Sequence, residues 1–176
     1  MIILGIDASS TTVGWGVLEV INDKIKLLDY GYFKPSKKGS VFERLSKMRL
    51  DLSKILDKYN PDHIAIEEIS KYMPGKSSAN TIIQLAIFNR FVGQYCYDYT
   101  GRNPNMLNVL SIRHKIKLSK KLPDKSEIPS IIEERLKITL KKELNKNGKE
   151  REENYDTADG IACGLAFALK LIEGKK

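Results

Sequence analysis

The first seven residues form an almost unbroken apolar run that ends in a carboxylate, Asp7. A run this short and this apolar is what a strand needs when both of its faces are covered, as in the middle of a sheet with helices on either side. It also sets a conflict, because an ionised carboxylate beside a core is costly unless it is paired, hydrogen-bonded or bound to a cation. The same conflict recurs twice. Glu67 and Glu68 break the apolar segment at residues 63–69, and Asp156 and Asp159 open an otherwise apolar helical segment at residues 155–172. No basic residue stands beside the acids within these segments.

The pattern between these points predicts the element order. Residues 13–21 and 24–33 are rich in β-branched and aromatic side chains, and Asn22-Asp23 between them suits a tight hairpin turn. Ser40 followed by Glu43 forms a capping box, and apolar residues from Val41 to Tyr59 recur at helical spacing as far as Asn60-Pro61. A fourth strand over 63–69 follows, then a Pro- and Gly-containing loop at 71–78 and a second helix over 79–98. Residues 105–110 read as a fifth strand and 111–125 as a basic, irregular stretch. A third helix is expected over 127–144, with Ile128, Ile131, Ile132, Leu136, Leu140 and Leu144 on one stripe. A charged linker at 145–153 leads to the last helix, over 155–172. This order predicts an α/β fold, a mixed five-stranded sheet flanked by helices, in one domain spanning residues 1–176.

Charge points to a polyanionic partner. The net charge is +8, and residues 71–151 hold seventeen basic against seven acidic side chains. The excess is densest at Arg113, Lys115, Lys117, Lys120 and Lys121, where nucleic acid would be drawn; a solvated lysine-rich loop is the plain alternative. The longest apolar runs fall well short of the roughly 20 residues of a membrane span, and no basic segment precedes the first of them, so a cytoplasmic protein without membrane contact is expected. Cys96 and Cys163 have no partner at metal-ligand spacing and are expected as buried free thiols.

The acids suggest the chemistry. Asp156 and Asp159 lie one helical turn apart and share a face. Helix capping accounts for acids in a first turn, but not for Asp7 and Glu67 as well. Oxygen-only clusters without His or Cys suit Mg²⁺, with Mn²⁺ as a substitute. Two such ions, roughly 3.5–4 Å apart, activate water and stabilise the leaving oxygen of a phosphodiester. Strand periodicity leaves Glu67 and Glu68 as equal candidates.

Three segments resemble a known family. ILGIDASSTTVGWGV at residues 3–17 is similar to the first motif of RuvC-type Holliday-junction resolvases: an apolar strand, Asp, a small polar turn and a Gly-aromatic-Gly strand. PDHIAIEEI at 61–69 resembles the second motif and DTADGIACGL at 156–165 the closing helix. The match implies an RNase H-like fold, with Asp7, Glu67, Asp156 and Asp159 as the metal-binding catalytic set. Its alignment selects Glu67 over Glu68, leaving Glu68 as a supporting or merely exposed group. It further implies a homodimer cutting branched DNA: four-way junctions, with three-way or Y forms also open. By the same resemblance the second helix is the interface candidate, through Ile82, Ile83, Leu85, Ile87, Phe88 and Phe91, although core packing serves each of these equally well.

This sequence departs from the family in two places. Bacterial members often place an aromatic residue three positions after the glutamate; here that position is Ser70, with Tyr72 two residues on. The stretch 102–127 is more lysine-rich. Both resemble a bacteriophage-type relative with broader substrate range. Lys71, Tyr72 and Lys76 are the DNA-gripping candidates in the loop after the catalytic strand, together with the basic five above. A non-catalytic nucleic-acid-binding or scaffold protein on the same fold is the alternative, and RNA as substrate stays open.

Overall fold

The computed structural model describes residues 1–35, 38–69 and 78–174. Strands β1 (Ile2–Ala8), β2 (Val13–Ile21) and β3 (Lys24–Phe33) form an antiparallel meander. Asn22 and Asp23 turn β2 into β3 with φ of 49° and 59°. Both angles are left-handed, as the tight hairpin turn requires. Strands β4 (His63–Glu68) and β5 (Asn105–Asn108) add parallel to the other side of β1, giving the order β3-β2-β1-β4-β5.

β1 is central, which accounts for its continuous apolar character. Leu4 and Ile6 join the core under α1 (Val41–Tyr59) and α2 (Ala79–Thr100). Ile3 joins the core on the opposite face, under α3 (Val109–Ile116), α4 (Ile128–Leu136) and α5 (Glu152–Glu173). The sheet is therefore covered on both faces, the expected α/β architecture. α1 carries the expected capping box: Ser40 Oγ accepts from the Glu43 N–H at 3.3 Å and the Ser40 N–H donates to Glu43 Oε2 at 2.6 Å. Cys96 and Cys163 are buried free thiols. Among the described residues no helix is long and apolar enough to cross a membrane.

Three expectations need correction. The continuous helix over 127–144 is instead a 3-10 turn, Lys125–Glu127, followed by α4, which stops at Leu136. Lys137 turns left-handed with φ 55°, Ile138 N–H donates to the Glu133 carbonyl at 3.1 Å, and the Glu133 side chain accepts from the Leu140 N–H at 2.8 Å. Leu140 still reaches the core from this turn, whereas Leu144 is exposed. The Tyr30 hydroxyl accepts from the Lys141 N–H at 2.9 Å, so contacts with β3 outweigh the helical stripe. The stretch 111–125 is not wholly irregular, because α3 occupies its beginning, capped by Asn108 Oδ1 accepting from the Ser111 N–H at 2.8 Å. Asn108 serves as both strand end and N-cap, which hides the boundary. Finally, α5 begins at Glu152, so Glu152 and Glu153 fill its first turn and Asp156 and Asp159 lie further in. Capping does not explain those two aspartates.

Packing is very close between α5 and the β1–β2 pair. Gly5 and Gly16 are cross-strand partners, as are Asp7 and Gly14. A Cβ on Gly5 would stand 2.3 Å from the Gly160 carbonyl oxygen, and one on Gly14 would stand 1.8 Å from that of Asp156. The helix backbone thus rests directly on the strand backbone. Adding atoms to a packed core typically costs about 1–3 kcal/mol, and here the obstacle is backbone that cannot rotate aside. Gly5→Ala is expected to destabilise by about 3 kcal/mol or more in urea unfolding. A loss below about 1 kcal/mol would show that the seam yields easily.

Candidate metal centre

Period-two alternation aims the first acid. Ile3 and Gly5 face α5, so Asp7, two residues further, leaves β1 on that same side. β4 runs parallel beside it, with Ile6 paired to Ile66. Here the His63 ring lies 5.4 Å from that of Phe167 on α5, and Ala65 packs in the α5-side core. Glu67 follows in the same alternation. Ile64 and Ile66 face α1 and α2, and Glu68 follows them to make an ion pair with Arg90 of α2. The sheet itself therefore separates the two glutamates.

α5 delivers the other two acids. Carboxylate oxygens of Asp7, Asp156 and Asp159 lie within 4.8 Å of one another, each residue partly buried. Glu67 is not in that trio, but it lines a cavity of about 160 Å³ with Asp7, Asp159, Arg113 and Lys125. The Lys125 Nζ stands 3.3 Å from Asp156 Oδ1 and 3.1 Å from Asp159 Oδ2. The donor set is all oxygen, converges from two strands and a helix, and fits a hard divalent cation.

The electrostatics show the acids working against one another. Burial, then the charges of Glu67, Asp159 and Asp156, raise the Asp7 carboxyl well above its usual range. Burial and the Asp159 charge push Glu67 up to about 7, against opposition from Lys125 and Arg113. Asp159 is raised by burial in spite of Lys125. For Lys125, burial favours the neutral amine, but Asp159, Asp156 and Asp7 outweigh it and hold the ammonium charged. One lysine does not neutralise the cluster: Asp7, Glu67 and Asp159 remain harder to ionise than in water.

The other expected site residues divide. Arg113 lines the acidic cavity. Lys115 pairs with Glu173 at 2.6 Å, Lys121 with Asp124 at 3.7 Å, and Lys117 donates to the Lys120 carbonyl at 3.5 Å. These four lysines belong to the segment leading to Lys125 rather than to the acid cluster itself. Lys71, Tyr72 and Lys76 lie outside the described residues. Sequence reasoning missed Lys125, which pairs with both Asp156 and Asp159. It lies 31 residues before Asp156, and its only signal was membership of the basic stretch.

A mixed sheet in this order, covered on both faces and carrying acids on its two central parallel strands and on the closing helix, defines an RNase H-like fold with a candidate metal centre. The family model "Crossover junction endodeoxyribonuclease RuvC" matches residues 3–94, just over half of the chain, and this chain belongs to that family. The matched stretch carries Asp7 and Glu67; Asp156 and Asp159 lie beyond it. The crossover junction endodeoxyribonuclease RuvC of Orientia tsutsugamushi (strain Boryong) is 32% identical over 107 residues, which cover 61% of this chain and 67% of that protein. Among solved structures, Thermus thermophilus RuvC in complex with a Holliday junction substrate superposes with TM-score 0.75 at 19% identity, over 99% of this chain and 97% of that one. The yeast mitochondrial Holliday junction resolvase superposes with TM-score 0.64 at 16% identity, over 98% of this chain and 80% of that one. The likeness to these structures extends the shared fold through α5.

The raised acids have a consequence for stability. With Glu67 at about 7 rather than 4.5, the folded chain keeps a proton that the unfolded chain releases across that interval. The metal-free protein therefore loses stability as pH rises from about 4.5 to about 7, and Asp7 and Asp159 act in the same direction. Glu67→Gln is expected to flatten this slope and to stabilise the metal-free protein above pH 7 by roughly 2–3 kcal/mol. Thermal unfolding in chelator across pH 4–8 provides the check. An unchanged slope would mean that Glu67 is not held in this environment.

Proposed function

We propose that this chain is a metal-dependent endonuclease that hydrolyses phosphodiesters of branched DNA, four-way junctions foremost. The observation that carries this reading is the convergence of three aspartates within 4.8 Å on a RuvC-family chain, with Glu67 lining the adjoining cavity. The related proteins bear the names of junction endonucleases and resolvases, and one was solved on a Holliday junction. Residues 1–176 serve as one nuclease domain, acting in the cytoplasm.

Asp7, Glu67, Asp156 and Asp159 are the metal-binding carboxylates in this reading, holding Mg²⁺ or Mn²⁺, two ions to a site. Once bound, the ions supply Lewis acidity, favouring attack by water and easing departure of the leaving oxygen. Asp7 and Glu67 supply ligands from rigid strand ends, while α5 brings two more on one helical face. Arg113 and Lys125 line the same cavity and counter the negative charge of an incoming phosphate. Lys115, Lys117, Lys120 and Lys121 extend that positive field along the backbone of the DNA, and Lys71, Tyr72 and Lys76 grip the branch point. An idle scaffold would gain nothing from this cluster, since acids that resist ionisation destabilise the fold at neutral pH.

Symmetric cleavage requires two sites, so the working form is a homodimer. α2 has a face for it. Phe88, Val92 and Cys96 are buried inward, while Ile82, Ile83 and Ile87 are exposed by 38%, 56% and 37%. Several large exposed apolar residues on one helix suit a partner surface.

Labelled four-way, three-way and linear duplexes, incubated with Mg²⁺ or with chelator, test the reading. Metal-dependent cutting of the four-way junction is expected, with linear duplex spared. Asp7→Asn, Glu67→Gln, Asp156→Asn and Asp159→Asn should each reduce cutting roughly a hundredfold or more while junction binding persists. Wild-type cutting by Asp7→Asn, or cutting in chelator, would contradict it.

A further inference from the structure

We propose that Asn89 of α2 is a positioning residue for Glu67, an inference that rests on the metal-site reading above. The Asn89 side-chain N–H donates to the main-chain carbonyl of Glu67 at 2.9 Å. The next residue, Arg90, makes an ion pair with Glu68, its Nη1 lying 3.4 Å from Oε2. Consecutive residues of the helix thus hold consecutive residues at the end of β4. The Asn89 bond fixes the backbone that aims Glu67, and the outer pair restrains rotation of the strand end.

The chemistry of Asn89 argues for such a role. The residue is 2% exposed, and Phe88 and Val92 of the same helix belong to the core. Its Oδ1 is buried and has no hydrogen-bond partner among the described residues. Burying an amide whose oxygen finds no partner among the described residues is unfavourable, and an apolar residue of similar volume would serve packing at least as well. What an apolar residue cannot do is hold the Glu67 carbonyl. Hydrogen bonds that orient ligand-bearing groups commonly contribute a factor of about 10–100 to metal affinity or activity. β4 is held on its other flank through the pairing of Glu67 with Leu107, so loss of Asn89 frees the strand end without unpairing the sheet.

The experiment measures Mn²⁺ affinity of the full chain by electron paramagnetic resonance, without DNA, alongside thermal unfolding. Asn89→Leu is expected to bind Mn²⁺ roughly 10–100-fold more weakly while unfolding at close to the wild-type temperature. A residue that serves only stability would show the reverse. Asn89→Ala, which demands no extra volume, carries the same affinity prediction and decides the matter if the leucine variant does not fold. In the Glu67→Gln background the Asn89 substitution should add little further loss, since both changes act through one ligand. Wild-type-like affinity in either folded Asn89 variant, or losses that multiply fully with Glu67→Gln, would overturn the assignment. Failure of the wild-type chain to bind Mn²⁺ would instead remove the metal-site reading, and this inference with it.

Discussion

The structure depends on how closely the backbone of α5 can approach the backbone of β1 and β2. Gly5 and Gly14 on the strands meet Gly160, Gly164 and the main chain of Asp156 with no room for a side chain on the contact line. Gly14 is the cross-strand partner of Asp7. The same contact that seats the helix therefore sets the separation between Asp7 and the aspartates of α5. Packing and site geometry are one constraint, and the small residues within 156–165 satisfy both.

That approach gathers acids where they are costly. Burial and mutual repulsion hold Asp7, Glu67 and Asp159 above their ordinary ionisation ranges, and Lys125 counters only part of the charge. A fold selected for stability alone would not assemble such a cluster. A divalent cation would resolve the conflict, because it favours the ionised form of every carboxylate it touches. The supports are rigid enough to hold such an ion. Two strand ends lie in a continuous sheet, one long helix crosses them, and α2 grips the end of β4 from behind.

Much of this was legible in the sequence for identifiable reasons. A short apolar run ending in Asp7 fits few places other than a central strand. The left-handed turn at Asn22-Asp23 and the capping box at Ser40 and Glu43 are local chemistry and formed as read. The candidate site was legible in part: Asp7, Asp156 and Asp159 do converge, whereas periodicity could not separate Glu67, which lines the adjoining cavity, from Glu68, which pairs with Arg90, since only the sheet reveals which face meets α5. Lys125 and Asn89 were not legible, because each acts on residues distant in the chain and neither breaks a local pattern. The helical stripe continuing to Leu144 misled for the complementary reason. Its periodicity was genuine, but Glu133 and Tyr30 offer the backbone other partners beyond Leu136.

The central claim is that these carboxylates form one metal centre. Anomalous diffraction from crystals of the whole chain soaked in Mn²⁺ tests it most directly. The account predicts manganese density bounded by Asp7, Asp156 and Asp159, with Glu67 drawn within ligand distance and Lys125 displaced from the aspartates. Manganese bound only elsewhere, with Lys125 still paired to Asp156 and Asp159, would contradict it.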